Sequence, residues 1–500
     1  MWPATCAERK IGEDILARTY KGIVAVREEF RIEKRSAIRM LTQAYIEKIL
    51  DYAVSCKVDY AEVFFEDAER TRVDLVDSEV SKCSCTRESG IGIRMFRGLE
   101  CEYLYSADTR EEKVLRLLKE YLGTGGVFGK RTPLSAMTPH EVTMYRMAPG
   151  RMALQKKIGL LKGIVKTGKS EESCIVQGRA GYLDTDQRVQ IANTEGIYAQ
   201  ERRLRTRVRL LMTAKDDRQG DRQTCFTGPG AMCGPEFLED GRLEEHARKI
   251  ARNAKNMLGA RPCPVGRMPV IIANGFGGLF FHEACGHSLE GTSVANGCSE
   301  FAGKIGTRIA SEKVTLVDDG SMAGEWGSLG IDDEGILTRK NVLIESGILK
   351  GYLLGRMEAK RMGLKPTGSA RRENYRFAPV SRMTNTYIAP GTDKLEDMIG
   401  SVERGLFVKN INAGSVDPVT GEFNFNTGET YLIEKGKITI PVMSATLIGT
   451  GGDILPKVDM VSDNFALGHG YCYAGSGQLP IGAGQPAVRI TEMTVGGKDL

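Results

Sequence analysis

Two of the five histidines in this 500-residue chain, His282 and His287, lie in Phe281-His282-Glu283-Ala284-Cys285-Gly286-His287. Neutral imidazoles are favoured ligands for first-row metals, and a glutamate beside the first of them could act as base toward a water activated there. Spacing decides whether the two rings can work together. On a helix of ~3.6 residues per turn, positions i and i+4 lie about 40° apart, whereas i and i+5 lie about 140° apart. A straight helix would aim the rings in different directions, so the chain must bulge, widen to π-like geometry, or end between them. Gly286 suits the last option. Glu283 and His287 would share a face of a straight helix, which makes a Glu-His ligand pair the geometric alternative. The plainer reading is two polar residues that end a helix.

A catalytic zinc site takes three protein ligands and leaves a fourth position open. Candidates for the third are Cys285, Glu290 and the distant cluster Gly468-His469-Gly470-Tyr471-Cys472. On chemistry alone His469 and Cys472 stand level. Cys285 lies between the histidines, points elsewhere, and reads as structural.

The elements that must hold these residues divide into three stretches. Leu41, Tyr45, Ile46, Ile49, Leu50 and Ala53 form one apolar helical face that begins near Met40. Short runs at 60–66, 72–76 and 90–96 read as antiparallel strands, and 110–121 reads as an amphipathic helix. The proline- and glycine-punctuated stretch 127–151 marks one boundary, and the turn formers of 259–266 mark another. The reading is therefore α+β: an N-terminal α/β sandwich-like region followed by a glycine-rich, mostly β C-terminal domain that carries the metal-site helix. Its parts are an extension over 1–39, with Met40 as an alternative start, an α+β domain over 40–140, a middle α+β region over 141–258, and a C-terminal domain over 259–500.

Composition removes several classes of function. There are 69 basic and 64 acidic residues, a net charge of +5, and no long basic run interleaved with aromatics, so no nucleic-acid surface is expected. No apolar stretch is long enough for a membrane span and no signal-peptide pattern is present, so a cytoplasmic protein is expected. The 12 cysteines are scattered, as in a reduced protein that does not depend on disulfides. Of 59 glycines, 21 precede residue 251 and 38 follow it, so the second half should be rich in turns and close backbone approaches.

From about residue 41 to 500 the chain resembles the TldD/PmbA family of metallopeptidases, on its catalytic, TldD-like branch. The resemblance rests on 282–291, on Val317-Asp318-Asp319-Gly320 and on Ile331-Asp332-Asp333-Glu334-Gly335. It extends through 367–373, Arg382-Met383-Thr384-Asn385-Thr386-Tyr387, 429–434 and 482–486. It implies that His282, His287 and Cys472 bind Zn2+ and that Glu283 is the general base. It also implies a homodimer, or a heterodimer with a relative lacking the metal motif, that encloses a cavity for short or unfolded peptides bound as an added β-strand. Some family members process modified peptide precursors. Arg371, Arg372, Asn385 and Tyr387 would then grip the peptide, or else organise the fold or the dimer interface. Asp318, Asp319, Asp332 and Asp333 read as turn and cap formers beside glycine. Where the family commonly has glycine and lysine after the cysteine, this chain has Tyr473 and Ala474, a change that bears on substrate preference. The competing function is a peptide-binding or chaperone-like module whose metal is structural.

Overall fold

The computed structural model describes residues 40–126, 131–217 and 220–497; the expected extension over 1–39 lies outside the described residues. Helix α1 (Gln43–Ser55) opens at Thr42, whose hydroxyl accepts the Tyr45 N–H at 3.2 Å. This satisfies one of the donors a helix start leaves free. The helix buries Tyr45, Ile46, Ile49, Leu50 and Ala53, the face marked by their spacing.

Strands β1 (Tyr60–Val76), β2 (Glu79–Arg97) and β3 (Glu100–Ser106) follow, then helices α2 (Glu111–Leu122) and α3 (Leu154–Glu171). A long hairpin, β4 (Ile175–Asn193) and β5 (Ile197–Lys215), leads to helix α4 (Arg242–Asn256). The strands form one sheet in the order β3-β2-β1-β4-β5, with three short strands added at β5. Strand β1 pairs with β4 from Glu62↔Asn193 to Val76↔Arg179. Residues 40–140 and 141–258 therefore contribute to a single sheet.

The two faces of that sheet have different work, and the period-2 alternation of a strand separates them. Ala61 and Val63 pack with α1 and α2, while Val73 and Leu75 pack with α3 and α4. The alternate positions Glu62, Phe64 and Glu66 face the C-terminal region, where Phe64 meets Ile331 and Tyr375. Charged groups join the two parts there. Arg94 pairs with Glu62 at 2.9 Å and with Glu334, Arg372 pairs with Glu62 at 2.9 Å, and Arg203 pairs with Asp333 at 2.7 Å. All of these side chains are buried.

Beyond Gly266 the strands shorten to between two and nine residues. They form a nine-stranded sheet that includes β6 (Gly266–Ile272) and a six-stranded sheet that includes β7 (Asn385–Ile388), β8 (Ala466–Ala474) and β9 (Gly477–Gln485). In the second sheet β7 pairs in parallel with β9, β9 pairs antiparallel with β8, and β8 is the edge. The largest core gathers apolar side chains of both sheets, and Phe280, Phe281, Ala284, Cys285 and Leu289 of the histidine segment are packed within it. The architecture is mixed α+β with a mostly β C-terminal region. No helix among the described residues is long and apolar enough to cross a membrane.

Candidate metal centre

The awkward histidine spacing is resolved by a wide turn. Leu279–Phe281 is a short α-helical turn, His282–Gly286 a π turn, and His287–Leu289 a 3-10 turn. The His287 N–H donates to the carbonyl of His282, five residues back. The helix does not end at Gly286, whose φ of −58° and ψ of −50° are helical. Any side chain there would have to displace Met383, since a Cβ would lie 2.3 Å from its Sδ. The imidazole centroids come within 5.0 Å of each other, with the rings at 86°.

Cys472 reaches the pair from the edge strand β8. The ligand atoms of His282, His287 and Cys472 all lie within 4.8 Å of one another, and Cys472 Sγ is 3.3 Å from His287 Nε2. Tetrahedral ligands at ~2.0–2.3 Å from an ion would stand about 3.5 Å apart. His282 is fully buried, yet neither of its ring nitrogens has a hydrogen-bond partner. A buried polar group left so costs about 1–3 kcal/mol, which a coordinated cation would offset. Two imidazoles and a thiolate form a donor set suited to a borderline-soft divalent ion such as zinc. The residues fit a metal.

The remaining candidates sort by their partners. Glu290 Oε2 lies 2.8 Å from His287 Nδ1, on the far side of the ring from Cys472. It therefore fixes the His287 ring from the side away from Cys472, an arrangement that raises the basicity of the ring. Its other oxygen accepts the Met383 N–H at 3.1 Å. His469 is occupied elsewhere: Nδ1 accepts the Gly230 N–H at 3.1 Å and Nε2 lies 3.1 Å from Glu325. Cys285 is buried and its thiol contacts the Phe281 carbonyl at 3.2 Å. Glu283 Oε2 stands 3.6 Å from His287 Nε2, so the carboxylate beside the first histidine faces the ligand atom of the second.

Electrostatics separates these groups. Burial, helped by the charges of His287, Arg382 and Arg371, holds His282 well below the ordinary imidazole range and keeps it neutral. Burial also pulls His287 down, but Glu290 and Cys472 outweigh it and lift that ring well above its usual value. Burial, then the Glu290 charge, pushes the Glu283 carboxyl up against the opposing pull of His287. A raised carboxyl is better matched to accepting and returning a proton near neutrality.

Three of the four residues expected to grip a peptide are committed inside the fold. Arg371 donates to the carbonyls of Met383 and Pro480, at 2.5 and 2.7 Å. Arg372 holds Glu62 and the Asp333 carbonyl, each at 2.9 Å. Asn385 donates to the Asp319 carbonyl and to Ser328 Oγ, each at 2.8 Å. Tyr387 is half-buried and stacks edge-on against Phe465 at 5.3 Å. The acidic pairs make turns and braces. Asp332 accepts the N–H groups of Glu334, Ile336 and Ala370, Asp319 accepts from Ser321, and Asp318 holds Thr384 and Thr386 across the sheet.

Some supporting residues escaped the sequence reading. Arg207 of β5 reaches the His469 carbonyl at 3.0 Å, and Trp326 Nε1 reaches the Gly470 carbonyl at 2.9 Å, so both brace the strand that carries Cys472. In sequence Arg207 is one charge in an alternating strand, and nothing local signals its distant partner. A cavity of ≈1470 Å³ runs beside this strand and is lined by Gly468, His469, Gly470, Tyr471, Tyr473 and Gln478 among others. None of His282, His287 and Cys472 lines it.

Three family models match the chain in order: PmbA/TldA metallopeptidase domain 1 over 61–120, the central domain over 148–258, and the C-terminal domain over 265–497. The chain is 35% identical over 460 residues to a metalloprotease TldD homolog of Haemophilus influenzae, covering 90% of this chain and 95% of that one. It is 30% identical over 445 residues to a metalloprotease of Methanothermobacter thermautotrophicus, covering 88% and 96% respectively. The crystal structure of TldE from Thermococcus kodakarensis superposes with a TM-score of 0.71 at 19% identity, covering 91% of this chain and 100% of that one, a likeness of fold. The chain belongs to the PmbA/TldA metallopeptidase family.

Proposed function

We propose that the chain is a zinc-dependent peptidase that hydrolyses short or unfolded peptides, modified precursors among them, within the cavity of a cytoplasmic dimer formed with itself or with a relative lacking the metal motif. The observation that carries this reading is the convergence of His282, His287 and Cys472, with the Glu283 carboxylate 3.6 Å from His287 Nε2. Zinc held by these three side chains would supply Lewis acidity toward the scissile carbonyl and toward water. Glu283 takes the proton of the attacking water and returns it to the leaving amine, a task its raised carboxyl pKa suits. Glu290 keeps the His287 ring turned toward Cys472. The substrate lies extended beside the edge strand β8 and adds to its sheet outside the stretch where Arg207 and Trp326 hold the His469 and Gly470 carbonyls.

A structural metal in a peptide-binding module would more often have four protein ligands and no carboxylate poised beside them. The cluster found among the described residues has three. Glu283→Gln should retain the metal and lower peptide hydrolysis by about 10²–10⁴-fold. Undiminished hydrolysis in that variant, or in protein stripped of its metal by a chelator, would contradict the reading.

A further inference from the structure

The cavity beside β8 is unevenly charged. Its lining holds three carboxylates, Asp74, Asp240 and Glu325. Asp74 is matched by Arg72 at 2.8 Å and Asp240 by Arg242, while Glu325 meets the His469 ring at 3.1 Å through the nitrogen opposite the one that accepts the Gly230 N–H. Four further cations line the same space: Arg179, Arg207, Arg209 and Lys249. None forms an ion pair with a carboxylate among the described residues. Arg179 donates to Gln177, Arg207 to the Gly228 and His469 carbonyls, and Arg209 lies over the Phe226 ring at 5.7 Å. Arg179, Arg209 and Lys249 are exposed.

We propose that this cavity selects acidic peptide segments, with Arg207, Arg209 and Lys249 receiving carboxylate side chains of the bound segment. Unmatched cations on the wall of a cleft set a local positive potential that concentrates and orients anionic ligands. Arg207 and Arg209 stand two residues apart on β5 and share a face, about 7 Å apart at ~3.4 Å per residue. An extended peptide repeats its side chains with the same period, so carboxylates on alternate residues match this spacing. Tyr473, 72% exposed, stands next to Cys472 and adds an aromatic wall on the cavity side. The edge strand β8 on the cavity wall favours a peptide over other polyanions, because a polyphosphate backbone cannot extend a β-sheet.

The proposal rests on the peptide-hydrolase reading of this site, and binding separates the two. The zinc-loaded full chain carrying Glu283→Gln is titrated with a rhodamine-labelled dodecapeptide bearing glutamate at alternate positions, and with its glutamine counterpart. The acidic peptide should bind about tenfold more tightly at low salt, with a preference that fades as salt rises. Adding Arg209→Glu and Lys249→Glu should invert the order, a result that misfolding cannot produce. Equal affinities, or a preference that survives charge reversal, would overturn the proposal. An oligothymidylate of matching length that binds as tightly as the acidic peptide, and is lost on charge reversal, would overturn it in favour of a nucleic-acid cleft. A parent enzyme that cleaves neither peptide would sink the peptidase reading while leaving the measured binding preference intact.

Discussion

The helix-covered sheet of residues 60–227 and the glycine-rich region that begins at 266 are stabilised by different means. In the first, four strands of 17 to 19 residues bury one apolar face under four helices and part of the other against the C-terminal region. In the second, short strands are joined by loops whose buried carboxylates and guanidinium groups hold backbone from distant parts of the chain. Asp332 alone ties three backbone N–H groups. The apolar core under the helices should tolerate apolar substitutions that keep volume. The second region should not, because each polar group has a particular partner, and burying a charge without that partner is costly.

Breaking the junction between the two regions tests this contrast most severely. Arg94 holds Glu62, Glu334 and the Pro379 carbonyl, and Arg94→Ala leaves Glu334 buried without its counter-charge. A loss of about 3–5 kcal/mol is expected in denaturant unfolding. Arg94→Lys should rescue little, since an ammonium lacks the planar fork that bridges these partners. In the apolar half, Leu161→Ala should cost about 2–5 kcal/mol, whereas Leu161→Met should cost less than about 1.5 kcal/mol. An Arg94→Lys variant as stable as the parent would dissolve the distinction between the regions.

Within the second region, Glu290→Gln keeps the shape of the side chain but removes the charge behind His287. Equilibrium titration should show zinc affinity reduced about 10–100-fold with little change in secondary structure. Gly286→Ala should have a smaller effect. The new methyl must displace Met383, whose N–H is tied to Glu290, at a cost of about 1–3 kcal/mol in thermal or denaturant unfolding.

How far the chain could be read in advance follows the same division. The apolar face of α1 was legible because hydrophobic periodicity is local, whereas the expected separate strands at 60–66 and 72–76 are one strand, β1, and the run at 90–96 is the end of the longer β2. That β1 and β4 join residues 40–140 and 141–258 in one sheet was not legible, because pairing register is long-range information. At the metal centre the types and spacing of His282, Glu283 and His287 were sufficient to demand a bulge, a π turn or a helix end. The packing of Met383 against Gly286 accompanies the π turn. Glu290 could be seen as a potential ligand, but only geometry shows that it meets Nδ1 rather than the metal side of the ring. Arg371, Arg372 and Asn385 could be read equally as gripping substrate or as organising the fold, because their partners come from segments remote in sequence.

The central claim is that His282, His287 and Cys472 together hold the metal. Metal analysis of the purified parent, Cys472→Ala and His469→Ala proteins tests it most directly. One zinc per chain is expected in the parent and in His469→Ala, and almost none in Cys472→Ala. Full occupancy in Cys472→Ala, with loss in His469→Ala, would contradict the account.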